Sequence, residues 1–191
     1  MNVKQLAWLV TSIILAGCSY VGVVATADPL KMLHQGESMQ QAGRHIPAEQ
    51  LGLRALERGV ELGDKRAQAN AHRYLGNFYK SRLYFERADW FRSVDRFDPS
   101  YELSKSHFQQ AAALWEEIGD DWGVAAEYFN LGNVASLQEN SDGACDLYSR
   151  SLAAYGTATF QGTIHPWSPA YPDFPSMVRA FAEHEGCEEF D

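Results

Sequence analysis

Along residues 121–138 the apolar positions Trp122, Ala125, Ala126, Phe129, Leu131, Val134, Ala135 and Leu137 recur at intervals of three and four, with no proline among them. That period is the one at which an α-helix returns to the same face, so the segment predicts an amphipathic helix. Residues 142–155 repeat the pattern through Ala144, Leu147, Tyr148, Leu152 and Tyr155, and the polar cluster at 139–143 turns the chain between the two runs. Two helices joined by so short a turn form an antiparallel hairpin. The same periodicity occurs upstream at a constant offset. When residues 48–79 are laid over 104–135, Ala55 falls on Ala111, Gly63-Asp64 on Gly119-Asp120, Ala69 on Ala125, and Leu75-Gly76-Asn77 on Leu131-Gly132-Asn133. Ungapped internal agreement of this kind marks a fold assembled from stacked copies of one supersecondary unit.

Around these copies the pattern predicts three further elements. A leading hairpin has helices over residues 29–41 and 48–62. An aromatic insertion spans residues 82–99, where Tyr84, Phe85, Ala88, Phe91, Val94 and Phe97 recur at helical spacing among Arg and Asp residues until Asp98-Pro99 ends the run. After a loop rich in glycine and proline, a closing helix starts at Pro175, carries Met177, Val178, Phe181 and Ala182 on one face and stops at Gly186. It is placed to cap the open end of the stack.

The residue types at the hairpin contacts resemble the tetratricopeptide repeat. His72-x2-Leu75-Gly76-x2-Tyr79 and Tyr128-x2-Leu131-Gly132-x2-Ala135 match the first helix of that repeat, and Ser104-x3-Phe108-x2-Ala111 and Ala144-x3-Tyr148 match the second. The resemblance implies an all-α fold, an α-α superhelix of antiparallel hairpins with a C-terminal capping helix. It divides the chain into repeat-like units at 29–62, 63–119 (interrupted by the insertion) and 120–158, with a cap at 159–191. It also implies a function in binding other proteins, with the first helices lining the concave side. There Arg73, Asn77 and Asn130 resemble part of the carboxylate clamp with which co-chaperone repeat domains hold a peptide C-terminus, and Asn133 lies on the equivalent surface. The alternative for Asn77 and Asn133 is hydrogen bonding between neighbouring helices.

The first eighteen residues follow a different logic. One cation, Lys4, precedes a short apolar run, and the run ends in Leu15-Ala16-Gly17-Cys18. The stretch is too short to span a bilayer and finishes in small residues, as a secretion signal does. The terminal cysteine resembles the lipobox of bacterial lipoproteins. That resemblance implies removal of residues 1–17, acylation of Cys18, a linker at 18–28 and, because Ser19 rather than an aspartate follows, an outer-membrane address facing the periplasm. Acyl chains contribute roughly 0.8 kcal/mol per buried methylene, so several chains anchor stably where one does not. An uncleaved anchor helix or a cut elsewhere is the alternative.

Composition narrows the partners. The net charge of −9 is spread without a basic block, which disfavours nucleic acid and anionic lipid headgroups as partners. Apart from Cys18 the cysteines are Cys145 and Cys187, either bridged in an oxidising compartment or two separate thiols. The six histidines show no metal-ligand spacing, so neither metal nor cofactor is expected. The expected function is that of a membrane-anchored scaffold for protein partners in the cell envelope, without enzymatic activity. The aromatic insertion is expected to pack against its own hairpin, the alternative being a partner-docking surface formed by Trp90 and Phe91. A glycan-binding module using Trp115, Trp122, Trp167 and Tyr171 as stacking platforms is the competing class. An enzyme would need a constellation such as His165, Asp173 and Arg179.

Overall fold

The structure, a computed structural model, describes residues 25–159 and 171–188. Among them the chain is all-helical. It forms α1 (Pro29–Gln41), α2 (His45–Glu61), α3 (Lys65–Tyr79), two short helices α4 (Arg82–Glu86) and α5 (Ala88–Ser93), then α6 (Glu102–Glu117), α7 (Asp121–Leu137), α8 (Ser141–Thr157) and α9 (Phe174–Glu185). Each long helix packs on the next: α1 on α2, α2 on α3, α3 on α6, α6 on α7, α7 on α8, and α9 on α8. The periodic helix at 121–138 and the closing helix at 175–185 are in place to within a residue. Cys18, the lipobox, Trp167 and His165 lie outside the described residues.

One turn is used four times. Gly43, Gly63, Gly119 and Glu139 all take positive φ, at 71°, 62°, 69° and 58°. The next residue's N–H reaches back to a carbonyl five positions earlier in every case: Arg44 to Met39, Asp64 to Gly59, Asp120 to Trp115 and Asn140 to Ala135. This closes one helix and opens the next. Asp64, Asp120 and Asn140 then cap the new helix, accepting from the N–H of Ala67, Gly123 and Gly143 at about 3 Å. The repeated Gly-Asp pair is thus a terminator followed by an initiator, which is why it recurs in register.

Between helices the stack uses small residues opposite aromatic rings. A Cβ on Gly76 would stand 2.7 Å from the ring of Phe108, and Gly132 faces Tyr148 in the same way. Ser104 and Ser151 lie buried at crossings and donate to the carbonyls of Gly76 and Ala125, at 2.8 and 2.7 Å. In the leading hairpin the position equivalent to Phe108 and Tyr148 is Gly52. The missing ring comes from the next unit: Tyr74 of α3 lies against both Gly36 and Gly52, and its hydroxyl donates to the Ala48 carbonyl at 2.9 Å.

α7 is buried on nearly every side, with α6 and α8 flanking it, so its apolar residues need not be confined to one stripe. The insertion differs from the single helix its spacing predicts. Arg87 leaves helical geometry at φ −110°, ψ 21°, dividing the run into α4 and α5. Tyr84 dictates the fold-back: wholly buried, its hydroxyl donates to the Arg96 carbonyl at 2.7 Å and accepts from the Asp98 N–H at 2.6 Å. Cys145 and Cys187 are bridged, with Cα atoms 5.5 Å apart, tying α8 to the residue after α9.

Candidate binding groove

Two helical stripes face one another between α1 and α3. Leu30, Leu33, His34, Glu37 and Gln40 recur at threes and fours on one wall, and Asn70, Arg73, Tyr74 and Asn77 on the other. They enclose an open groove of about 370 Å³, with Leu33 and Tyr74 as apolar floor and polar groups along the rims. Asn70 and Asn77 donate their amide N–H to the carbonyls four residues earlier, Arg66 at 2.9 Å and Arg73 at 3.1 Å. Their Oδ1 atoms remain as acceptors on the α3 wall, while Glu37 on the α1 wall lies 3.4 Å from His34 Nδ1.

The expected clamp residues are divided by the structure. Arg73 does not present its guanidinium to an incoming carboxylate. Its Nε donates to Glu127 of α7, its Nη2 to the Gly123 carbonyl at 3.3 Å, and its Cζ lies 5.2 Å over the Trp115 ring. Asn130 is buried and gives its amide to the other Glu127 oxygen at 3.2 Å, while Trp115 Nε1 donates at 3.1 Å. The chain's own Glu127, 0 % exposed, therefore occupies the arrangement that the clamp resemblance reserves for a ligand. Burial pushes this carboxyl above its ordinary range, against the opposing pull of Arg73, Asn130 and Trp115. Asn133 accepts from the Tyr148 hydroxyl at 2.9 Å and so joins α7 to α8, its alternative role. Of the four, Asn77 alone is exposed on the groove.

A second buried carboxylate lies in α2. Glu49, 0 % exposed, accepts from Tyr79 Oη at 2.9 Å and pairs with Arg96 of the insertion at 3.1 Å. Neither glutamate was singled out by the sequence reading. The signal was there: Glu127 lies on the inward stripe Val124, Leu131, Val134, where a charged residue must find a partner.

The insertion packs rather than docks. Phe91 is wholly buried against Phe78 and Tyr84, which is the expected packing and removes Phe91 from the alternative docking surface. Trp90 is half-buried, edge-on to Phe91 and 5.5 Å from the Arg96 guanidinium. Among the candidate stacking platforms, Trp115 is core and unavailable to a sugar, and Trp122 is half-buried edge-on to Tyr155 and Phe174. Tyr171 is half-buried beside Phe181. Asp173 caps α9 through the Ser176 N–H at 2.7 Å, and Arg179 is exposed.

The fold also brings together two histidines that the sequence leaves far apart. Nδ1 of His72 and Nδ1 of His107 lie 2.9 Å apart across α3 and α6, and His107 stacks on Tyr79. One nitrogen donates and the other accepts, so the pair requires one ring to keep its Nδ1 unprotonated and fails once both rings are cationic. Burial lowers both; His107 falls from 6.5 to about 4, with His72 adding to the effect. Because the folded chain resists a proton that the unfolded chain takes up, stability is full above pH 6.5 and declines as pH falls toward about 4. Urea titrations across this range should lose about 2 kcal/mol, the partial exposure of His107 keeping the loss below the full linkage value. The slope should flatten in a His107→Gln variant. Among the described residues no three His, Cys, Asp or Glu side chains converge as metal ligands.

With the geometry in view, comparison with known proteins adds no relative: no protein family's pattern matches the chain, and no curated protein is significantly similar to it.

Proposed function

We propose that this protein is a lipid-anchored adaptor of the bacterial cell envelope. Its tetratricopeptide-like superhelix holds an extended segment of a partner protein in the groove between α1 and α3, on the periplasmic side of the outer membrane. The observation that carries this reading is the pair Asn70 and Asn77, each with its N–H side tied back to its own helix and its oxygen left at the rim. Such oxygens, with Glu37, suit the main-chain N–H groups or cationic side chains of a bound strand rather than a terminal carboxylate. The walls are rigid helices, so little ordering opposes binding.

Photocrosslinking residues placed at His34 and Gln40, and at Ser149 on the exposed face of α8, test the groove in intact cells. The groove positions should give a discrete partner adduct, and an Asn70→Leu, Asn77→Leu double variant should lose it. Adducts from position 149 alone, or full capture by the double variant, would overturn the reading. Incorporation of labelled fatty acid, abolished by Cys18→Ala, tests the anchor separately.

A further inference from the structure

Three large apolar side chains left in water gather at one end of the helix stack: Leu30 at 45 % exposure, Val60 at 60 % and Leu62 at 51 %. Leu30 is in the first turn of α1, Val60 in the last turn of α2, and Leu62 is the residue that closes α2. Arg58 Nε donates to the Ala27 carbonyl at 3.3 Å and pins these two helix ends together. Beside them, Lys65 and Arg66 at the start of α3 pair with Glu117 and Asp120 at the turn between α6 and α7. One edge of the molecule therefore carries the beginning of α1 and both of these turns.

Much of the charge on this edge is compensated locally, although Asp64 and Asp121 also lie exposed there. Lys31 pairs with Asp28, Arg58 with Glu61, Lys65 with Glu117 and Arg66 with Asp120, so four carboxylates that would repel an anionic surface each have a cation beside them. The chain also enters the fold here: Asp28, which caps α1, follows Cys18 by about ten residues, a tether of at most about 35 Å. A tether of that length holds the edge at high effective concentration against whatever surface carries the anchor, so a few apolar side chains suffice for contact.

We propose that this edge rests on the phospholipid surface, with Leu30, Val60 and Leu62 set among the headgroups. The proposal rests on the anchoring reading above. The long helices then stand upright on the membrane, and the groove between α1 and α3 begins at the bilayer with Leu30 and rises to Gln40 and Asn77.

The test uses the full-length lipidated protein in vesicles of phosphatidylethanolamine with a minority of phosphatidylglycerol. Cys18 is acylated and Cys145 is bridged to Cys187, so a thiol introduced by Leu62→Cys is the one that takes an environment-sensitive fluorophore. A Leu137→Cys label, 46 % exposed at the far end of α7 about 24 Å away, is the reference. The label at position 62 should shift to the blue on vesicles and be quenched by lipids with a quencher near the headgroup, and the label at 137 should do neither. A Leu30→Cys label should shift likewise and lose that shift when Val60→Glu and Leu62→Glu are added. If the protein stays on the vesicles while the label at 62 remains water-like, or the label at 30 is indifferent to the two glutamates, the contact is overturned and the anchor stands. If the protein carries no fatty acid and leaves the vesicles, anchoring fails and the contact falls with it.

Discussion

Replacing Arg73 with leucine should lower the unfolding free energy by about 3 kcal/mol in urea denaturation, because it leaves the buried Glu127 carboxyl without its cation, to be held as a bare charge or protonated. The loss sits at the low end for a broken buried pair, since the Arg73 side chain is 22 % exposed and the site keeps some access to water. Two companion measurements separate this from lost packing. Adding Glu127→Leu should recover part of the deficit, because it removes the buried carboxylate but leaves the Trp115 and Asn130 donors without their acceptor. Lowering the pH should also shrink it, because a protonated Glu127 no longer requires a counter-ion. A double variant no more stable than the single one, together with a deficit that does not shrink as pH falls, would show that the buried charge is not what destabilises the single variant.

The second large effect is expected at the Cys145–Cys187 bridge. The cysteines are 42 residues apart in sequence, and by chain entropy opening a loop of that size costs about 4 kcal/mol. The Cys145→Ala, Cys187→Ala variant should therefore unfold at markedly lower urea than the oxidised protein, and reductant should leave the variant unaffected while bringing the parent down to it. The first element to loosen is α9, whose Phe174, Met177 and Val178 pack against the α7–α8 hairpin. Faster amide exchange over residues 174–185 than over α7 would locate the loss. A difference below about 1 kcal/mol would mean that apolar packing alone holds the cap.

How much of this was legible in the sequence follows from what each feature depends on. The hairpins were readable because a helix with one buried face repeats it every three or four residues, and because Gly63-Asp64 and Gly119-Asp120 terminate one helix and cap the next through local hydrogen bonds. The fourth copy of that turn, with Glu139 in the left-handed position, lacks the glycine and shows why composition alone undercounts such turns. The insertion was readable as aromatic and helical, but its break was not, since Arg87 departs from helical geometry to let Tyr84 reach the backbone of Arg96 and Asp98. The groove residues were half legible. Spacing placed Arg73 and Asn77 on one face correctly, yet which way the guanidinium turns depends on Glu127, far along the chain and on another helix. The His72–His107 contact was beyond reach for the same reason, because it exists only once α3 and α6 are packed.

Tyr74 carries one further consequence. The first hairpin has notches at Gly36 and Gly52 and no ring of its own to fill them, so its interior is completed by a side chain that belongs to the following helix. As the polypeptide emerges amino end first, α1 and α2 are both available before residue 74 is, and they wait as a loosely closed pair until α3 arrives to lock them. The order of synthesis thus leaves the first hairpin of this domain unset until the helix that follows it has been made.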